Sequence, residues 1–441
     1  MLWGGCGGRS PPLSARQPTK IGLSPIKIRA HEGRMTALAF LRNNAPFLAT
    51  GALLSFLSSF GQTFFISIFG GEIREGFGLT NGEWGLIYMV GTGLSALAMI
   101  FAGGLADRFR ARVLGVAVVA LLGLSCLAVA LNPWVAALPL VIFALRFTGQ
   151  GMTSHVAVVA MVRWFVAARG RALAVATMGF MAAEAMMPLT FVWLKQHVEW
   201  HLLWVGAALF CFACLPILHR LLRLERTPQS TAENTAALGM NARHWTRAEA
   251  LRHPLFWSLT PALMFFPAFG TAFWFHQVHF AQIKGWDHLA LVAVFPLGTL
   301  SFGLFTVIYG WAIDRFGAAR LLPVYLLPLV LGFSLNAYAP SIGWTAAGVI
   351  LMGMAGGGQS TILNAVWAEF YGTRHLGAIK AAVASVMVLG SALGPGLSGW
   401  LIDVGVGFEA QLLGYAASFV FAILVMLIPL RSARAALTVA A

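Results

Sequence analysis

Two ionisable residues in apolar surroundings are the first candidates for chemistry. Arg146 lies about midway along the stretch from Pro133 to Arg163, and Glu184 about midway between Arg171 and Lys195. An ionisable group at mid-bilayer is costly unless paired or wetted, so each marks a functional position. Their similar depth on consecutive segments allows two arrangements. One is a structural ion pair; the other is a cavity pair that binds an anion at Arg146 and a proton at Glu184. His276 and His279 stand about one helical turn apart, with Gln277 beside the first. Histidine titrates near neutrality, so this pair suits pH sensing or proton relay, and equally the lining of a wet vestibule. Two ligands do not make a metal site, and the four cysteines have no neighbours in sequence to complete one. Gln62, Gln150, Gln359 and Asn364 add neutral hydrogen-bonding capacity, and Phe273, Trp274 and Phe275 are candidates to wall a cavity. The chain has no Gly-x-x-x-x-Gly-Lys-Ser/Thr run, so no ATP-binding module and no cofactor is expected.

The elements that carry these residues must cross a membrane. Of 441 residues 59% are apolar and 10% charged, and the mean hydropathy is +0.79. A hydrocarbon core of about 30 Å takes roughly 20 apolar residues per helix. Such stretches fall at 46–70, 83–106, 112–132, 135–161, 172–194 and 201–218, then at 256–280, 289–311, 319–338, 342–367, 377–402 and 410–430. The expectation is an all-α membrane protein with twelve transmembrane helices in two six-helix bundles, 46–218 and 256–430. Residues 1–45 read as a disordered basic tail, with Met35 as an alternative start, 219–255 as a cytoplasmic linker and 431–441 as a cytoplasmic tail.

The two bundles repeat each other 207 positions apart. Gly103, Asp107, Arg108 and Phe109 recur as Gly310, Asp314, Arg315 and Phe316; Gly91-Thr92 recurs as Gly298-Thr299, and Pro188 as Pro395. Glycine and proline match best, which marks the repeat as backbone architecture. A duplicated apolar bundle is a body plan of secondary transporters. Glu184 breaks the repeat, since Ser391 stands at its counterpart, so the shared scaffold does not account for it.

Net charge is +14. Of the 29 Lys and Arg, 25 lie in the N-terminal tail, one set of alternating loops and the C-terminus. That is the positive-inside pattern, placing both termini in the cytoplasm. It accounts for the basic balance without any nucleic-acid partner.

Gly103-Gly104-Leu105-Ala106-Asp107-Arg108, followed by Arg112, resembles the loop between helices 2 and 3 of the major facilitator superfamily, and Gly310 to Arg320 resembles its second copy. Arg110 replaces a usual glycine in the first copy. The second keeps Gly317 but has Ala319 where a basic residue is usual. Arg146-Phe147 with Gly149 and Gly151 is similar to the fourth-helix signature, and Gly390, Gly394 and Pro395 to the Gly-Pro signature of a cavity-lining helix. Trp164-Phe165 through Ala172, Phe275 through Trp286 and Glu369 through Gly377 resemble the bacterial branch near the monocarboxylate and oxalate/formate transporters. Animal monocarboxylate carriers place a charged pair in helix 8, which here (289–311) has no charge. Monocarboxylates are thus one option among organic solutes.

The resemblance implies the major facilitator fold and a gate. Asp107 would cap the start of helix 11 and Asp314 the start of helix 5, latching the halves when the cytoplasmic side is closed. Gly394-Pro395 would bend helix 11. The expected function is proton-coupled symport of a small organic solute, such as a carboxylate, by a monomer in the bacterial inner membrane. The alternatives are an exporter of drugs or metabolites and, from another class, a membrane enzyme acting on a lipid or quinone.

Overall fold

A computed structural model describes residues 37–165, 168–223 and 238–438; the side chains of Ala37, Leu38, Ala39, Asp107, Arg108, Arg169 and Thr438 also lie outside the described part. The chain divides into two units, Met1–Asn44 and Ala45–Ala441. Of the first, the described part is a short helix, Ala37–Asn43, closed by Asn44, whose Nδ2 donates to the Phe40 carbonyl at 2.8 Å. Within the stretch expected to be a disordered tail, residues 37–43 are thus helical. The rest of that tail lies outside the described residues.

The second unit is a bundle of helices, with no strand among the described residues. Eleven helices are long and apolar enough to cross a membrane. These are α2 (Asn81–Ala102), α3 (Ala111–Leu131), α4 (Val135–Trp164), α5 (Gly170–Leu194), α6 (Trp200–Leu222), α7 (Pro254–Phe275), α8 (His288–Phe316), α9 (Ala318–Tyr338), α10 (Ile342–Tyr371), α11 (Leu376–Asp403) and α12 (Phe408–Leu437). The twelfth span, α1, is the pair Ala45–Gly61 and Thr63–Phe77, bent by 48°. Large apolar side chains such as Phe101, Val307 and Ile428 are exposed along these helices, as lipid contact requires.

Three span boundaries differ from the sequence reading, each for a local reason. Span 46–70 is broken at Gln62, whose backbone is extended (φ −87°, ψ 154°), after a tight turn over Ser58–Gly61. Span 256–280 ends at Phe275; the chain turns at His276 and resumes as a helix over Gln277–Lys284. The linker is partly ordered: Arg247–Arg252 is a helix opened by a capping box in which Thr246 and Glu249 satisfy each other's backbone N–H groups. The last helix continues past 430, where Arg434 donates to the Ala319 carbonyl in the α9 segment.

The two halves meet most closely along α2 and α11. A Cβ on Gly85 would sit 2.6 Å from the Pro395 carbonyl oxygen, so only glycine permits this approach. Gly394 is equally constrained against the Ala268 backbone of α7. The Gly-Pro pair thus brings helices together, and α11 runs through Pro395 as one helix from Leu376 to Asp403.

Candidate functional site

Glu184 stands on the wall of a cavity of about 630 Å³ between the halves. Residues from α1, α5, α7, α8, α10 and α11 line it, among them Phe64, Phe266, Trp274, Phe302, Gln359, Asn364 and Lys380. The Thr299 hydroxyl of α8 donates to Glu184 Oε2 at 3.3 Å, and no cation pairs with this carboxylate among the described residues. The repeat explains why the contact is special. Thr92, the counterpart of Thr299, is buried with its hydroxyl unpartnered. Ser391, at the counterpart of Glu184, turns back to the Val388 carbonyl of its own helix at 3.0 Å. A scaffold threonine has thus acquired a carboxylate partner in one half only.

Arg146 does not join Glu184, which corrects both arrangements expected for the pair. Its side chain is fully buried, and Nη1 donates to the Gly61 carbonyl at 3.1 Å and to Thr63 Oγ1 at 3.3 Å. Its guanidinium carbon lies 5.3 Å from the centre of the Tyr88 ring. The cause is the break in α1. Ala45–Gly61 ends in mid-span, leaving carbonyls and the negative end of a helix dipole where no water reaches. The guanidinium supplies donors and positive charge at that end. To reach it, α4 widens into a π-helical turn over Arg146–Thr153, and Gly149 packs directly on the Gly61 backbone. Gln62 sits at the break itself, half-buried and outside the cavity lining.

The histidine pair is packed into the closed end of the bundle. His276 is buried and its Nε2 donates to the Pro395 carbonyl at 3.1 Å, while His279 is half-buried with its ring edge-on to Phe408. Gln277 instead ties the halves together, donating from Nε2 to Ser67 Oγ at 2.7 Å and accepting from His288 Nε2 at 3.4 Å. Of Phe273, Trp274 and Phe275, Trp274 lines the cavity, while Phe275 stacks on Trp84 of α2. On α10, Gln359 Oε1 accepts from the Tyr325 hydroxyl at 2.8 Å, and Asn364 Oδ1 accepts from Lys380 Nζ at 2.8 Å. Lys380 falls at the start of the expected apolar stretch 377–402. It lies one turn inside α11 and lines the cavity.

At the end bearing the repeated loops, each loop is anchored to its own half. His155 Nε2 lies 3.1 Å from the Gly103 carbonyl and Arg163 Nη1 donates to that of Ala106 at 2.6 Å. Glu369 accepts from the Ala318 N–H at 3.0 Å, just after Gly317, whose φ of +79° favours glycine. Gly310 has open space around its α-carbon, and Arg112 is exposed. Asp314 is exposed and makes no hydrogen bond or ion pair among the described residues; Arg315 lies over the Phe316 ring at 5.8 Å. The expected latches are therefore not engaged at Asp314, and the side chains of Asp107 and Arg108 lie outside the described part. At the opposite end, Asp403 Oδ2 accepts from the Gly82 N–H at 2.8 Å, joining the last turn of α11 to the first turn of α2. The halves are thus held together away from the motif loops. The cavity extends toward those loops, where Asn364 is exposed.

Eleven membrane-length helices and one bent pair among the described residues, a two-fold repeat and a central cavity with mostly apolar walls fit the body plan of a multi-pass membrane transporter. The Major Facilitator Superfamily model matches residues 51–307 and 295–439, and the chain belongs to that family. That membership supports the transporter class over the membrane enzyme. Over 93 residues it is 40% identical to the Multidrug resistance protein B homolog of Mycobacterium tuberculosis, a match covering 21% of this chain and 17% of that protein. Over 275 residues it is 29% identical to Monocarboxylate transporter 13 of Bos taurus, covering 60% of this chain and 61% of that one. Among solved structures, the nucleoside transporter NupG superposes with a TM-score of 0.65 at 15% identity, covering 87% of this chain and 98% of that one. A bacterial homolog of the human lysosomal transporter Spinster, in an inward-facing and unoccupied conformation, gives 0.64 at 17% identity, covering 90% and 97%. At these identities the structural likeness is one of fold.

Proposed function

We propose that the protein moves a small organic solute by alternating access and couples that movement to protons at Glu184. The observation that carries this reading is the unpaired carboxylate on the cavity wall, held by the Thr299 hydroxyl with no cation at hand. When that wall closes, a bare carboxylate in an apolar setting costs several kcal/mol, and a proton is the smallest species that neutralises it. Arg146, committed to the α1 break, serves the scaffold. The Gln277–Ser67 and Asp403–Gly82 bonds close the opposite end and must part when the cavity opens there.

The positive-inside pattern supports placing the motif loops and both termini in the cytoplasm, so the cavity faces inward. The protein then works as a monomer, two rocking halves around one site, in a bacterial inner membrane. The short match to a multidrug resistance protein homolog favours export as a second reading of the same machinery; the direction of the imposed proton gradient that drives net flux separates the two. In proteoliposomes, wild type accumulates solute under a proton gradient, whereas Glu184→Gln binds and exchanges solute without accumulating it. Gradient-driven accumulation by Glu184→Gln at the wild-type level sinks the reading.

A further inference from the structure

We propose that Lys380 is the specificity-determining residue of the cavity, anchoring the carboxylate of an amphipathic acid much larger than a three-carbon one. This rests on transport through the cavity described above. Lys380 Nζ has one partner, Asn364 Oδ1 at 2.8 Å, and no carboxylate pairs with it among the described residues. Asn364 is itself fixed by donating to the Ser360 carbonyl, so the ammonium is held in place with donors to spare. Glu184 does not neutralise it. At about 1.5 Å of rise per residue, Lys380 is roughly 6 Å from the start of α11 and Glu184 roughly 21 Å from the start of α5, about 15 Å apart along the bundle. An unpaired cation on a membrane cavity wall is a ligand site by default.

A second polar group stands deeper on the same wall. Gln359 is 8% exposed, and with its oxygen taken by Tyr325, its Nε2 has no acceptor. Twelve residues from the motif end of α10, roughly 18 Å, it lies deeper than Lys380 and offers its donor to a polar group on the body of the solute. The remaining lining decides the size. A volume of about 630 Å³ walled by Phe266, Trp274 and Phe302 fits a drug-sized ligand with an apolar body, since such pockets run to roughly 300–1,000 Å³. A solute of this class lays its ring or chain against the aromatics and its carboxylate at the motif-end mouth. The proton site stays free at Glu184.

The test is thermal stabilisation of the purified full chain by three probes: phenylbutyrate, its neutral amide phenylbutyramide, and lactate. Phenylbutyrate should bind about tenfold tighter than the amide, the worth of one charge-assisted hydrogen bond, and lactate should give no shift at the same concentration. Lys380→Gln should erase the acid-over-amide preference, and Lys380→Arg should restore it. Equal binding of acid and amide by wild type overturns the proposal even if Lys380→Gln proves too unstable to measure. So does stabilisation by lactate equal to that by phenylbutyrate, or an undiminished preference in Lys380→Gln. Binding in detergent involves no gradient, so this result stands apart from whether Glu184 couples protons.

Discussion

Substituting Gly82 by alanine should open the protein at the end away from the motif loops. The Gly82 N–H lies in the first turn of α2, where backbone donors lack intrahelical partners, and Asp403 fills that vacancy from the other half. A Cβ at position 82 would sit 2.5 Å from Asp403 Oδ2 and 3.2 Å from the Trp400 α-carbon, so the carboxylate must leave. A charged acceptor at an exposed helix N-terminus is worth up to about 1 kcal/mol after solvent screening. Losing it from one state alone shifts the balance between inward-open and outward-open forms about fivefold. Asp403→Asn keeps an acceptor oxygen but loses the charge, so it should shift the balance less. Spin labels on the far ends of α2 and α11 report the populations as two distances. An unchanged distance distribution in Gly82→Ala would show that Asp403 is a bystander and that packing alone closes this end.

Arg146→Ala leaves the Gly61 carbonyl unsatisfied beside a new void, costing about 3 kcal/mol; the melting temperature should fall sharply, with Arg146→Lys intermediate. Thr299→Val should lower proton-driven accumulation several-fold while Thr92→Val leaves it intact, and equal effects in uptake assays would erase the asymmetry between the halves. In the linker, the Thr246 backbone N–H, the Thr246 hydroxyl and then Arg243 hold the Glu249 carboxyl below the usual carboxylate range. That depressed value means its contribution to the Arg247–Arg252 helix is present above the unfolded-state value of about 4.3 and lost as pH falls through the folded one. Amide exchange in this helix should therefore accelerate upon acidification, and Glu249→Gln should remove that pH dependence.

Much of the architecture was legible because it is written in apolar runs and in a repeat that glycine and proline preserve. Glu184 stood out for the same reason, as a charged letter where the repeat has Ser391. Arg146 was misplaced because its partner is a backbone carbonyl, which no sequence letter marks. The break that exposes this carbonyl follows Ser58-Ser59-Phe60-Gly61-Gln62-Thr63, a polar cluster inside an otherwise apolar span and the one available warning. Lys380 was not singled out for the cavity because helix ends are uncertain by a turn, and one turn decides whether a lysine faces cytoplasm or cavity. Asp403 escaped notice because a latch needs two helices meeting across 321 positions, which no local pattern reveals.

The central claim is that Glu184 carries the proton that accompanies the solute. Its most direct test is proton movement itself, recorded with a pH-sensitive dye sealed in proteoliposomes when solute is added without any imposed gradient. Wild type should move protons with the solute, and Glu184→Gln should move solute with no dye response. A wild-type dye response from Glu184→Gln, at an equal rate of solute entry, would contradict it.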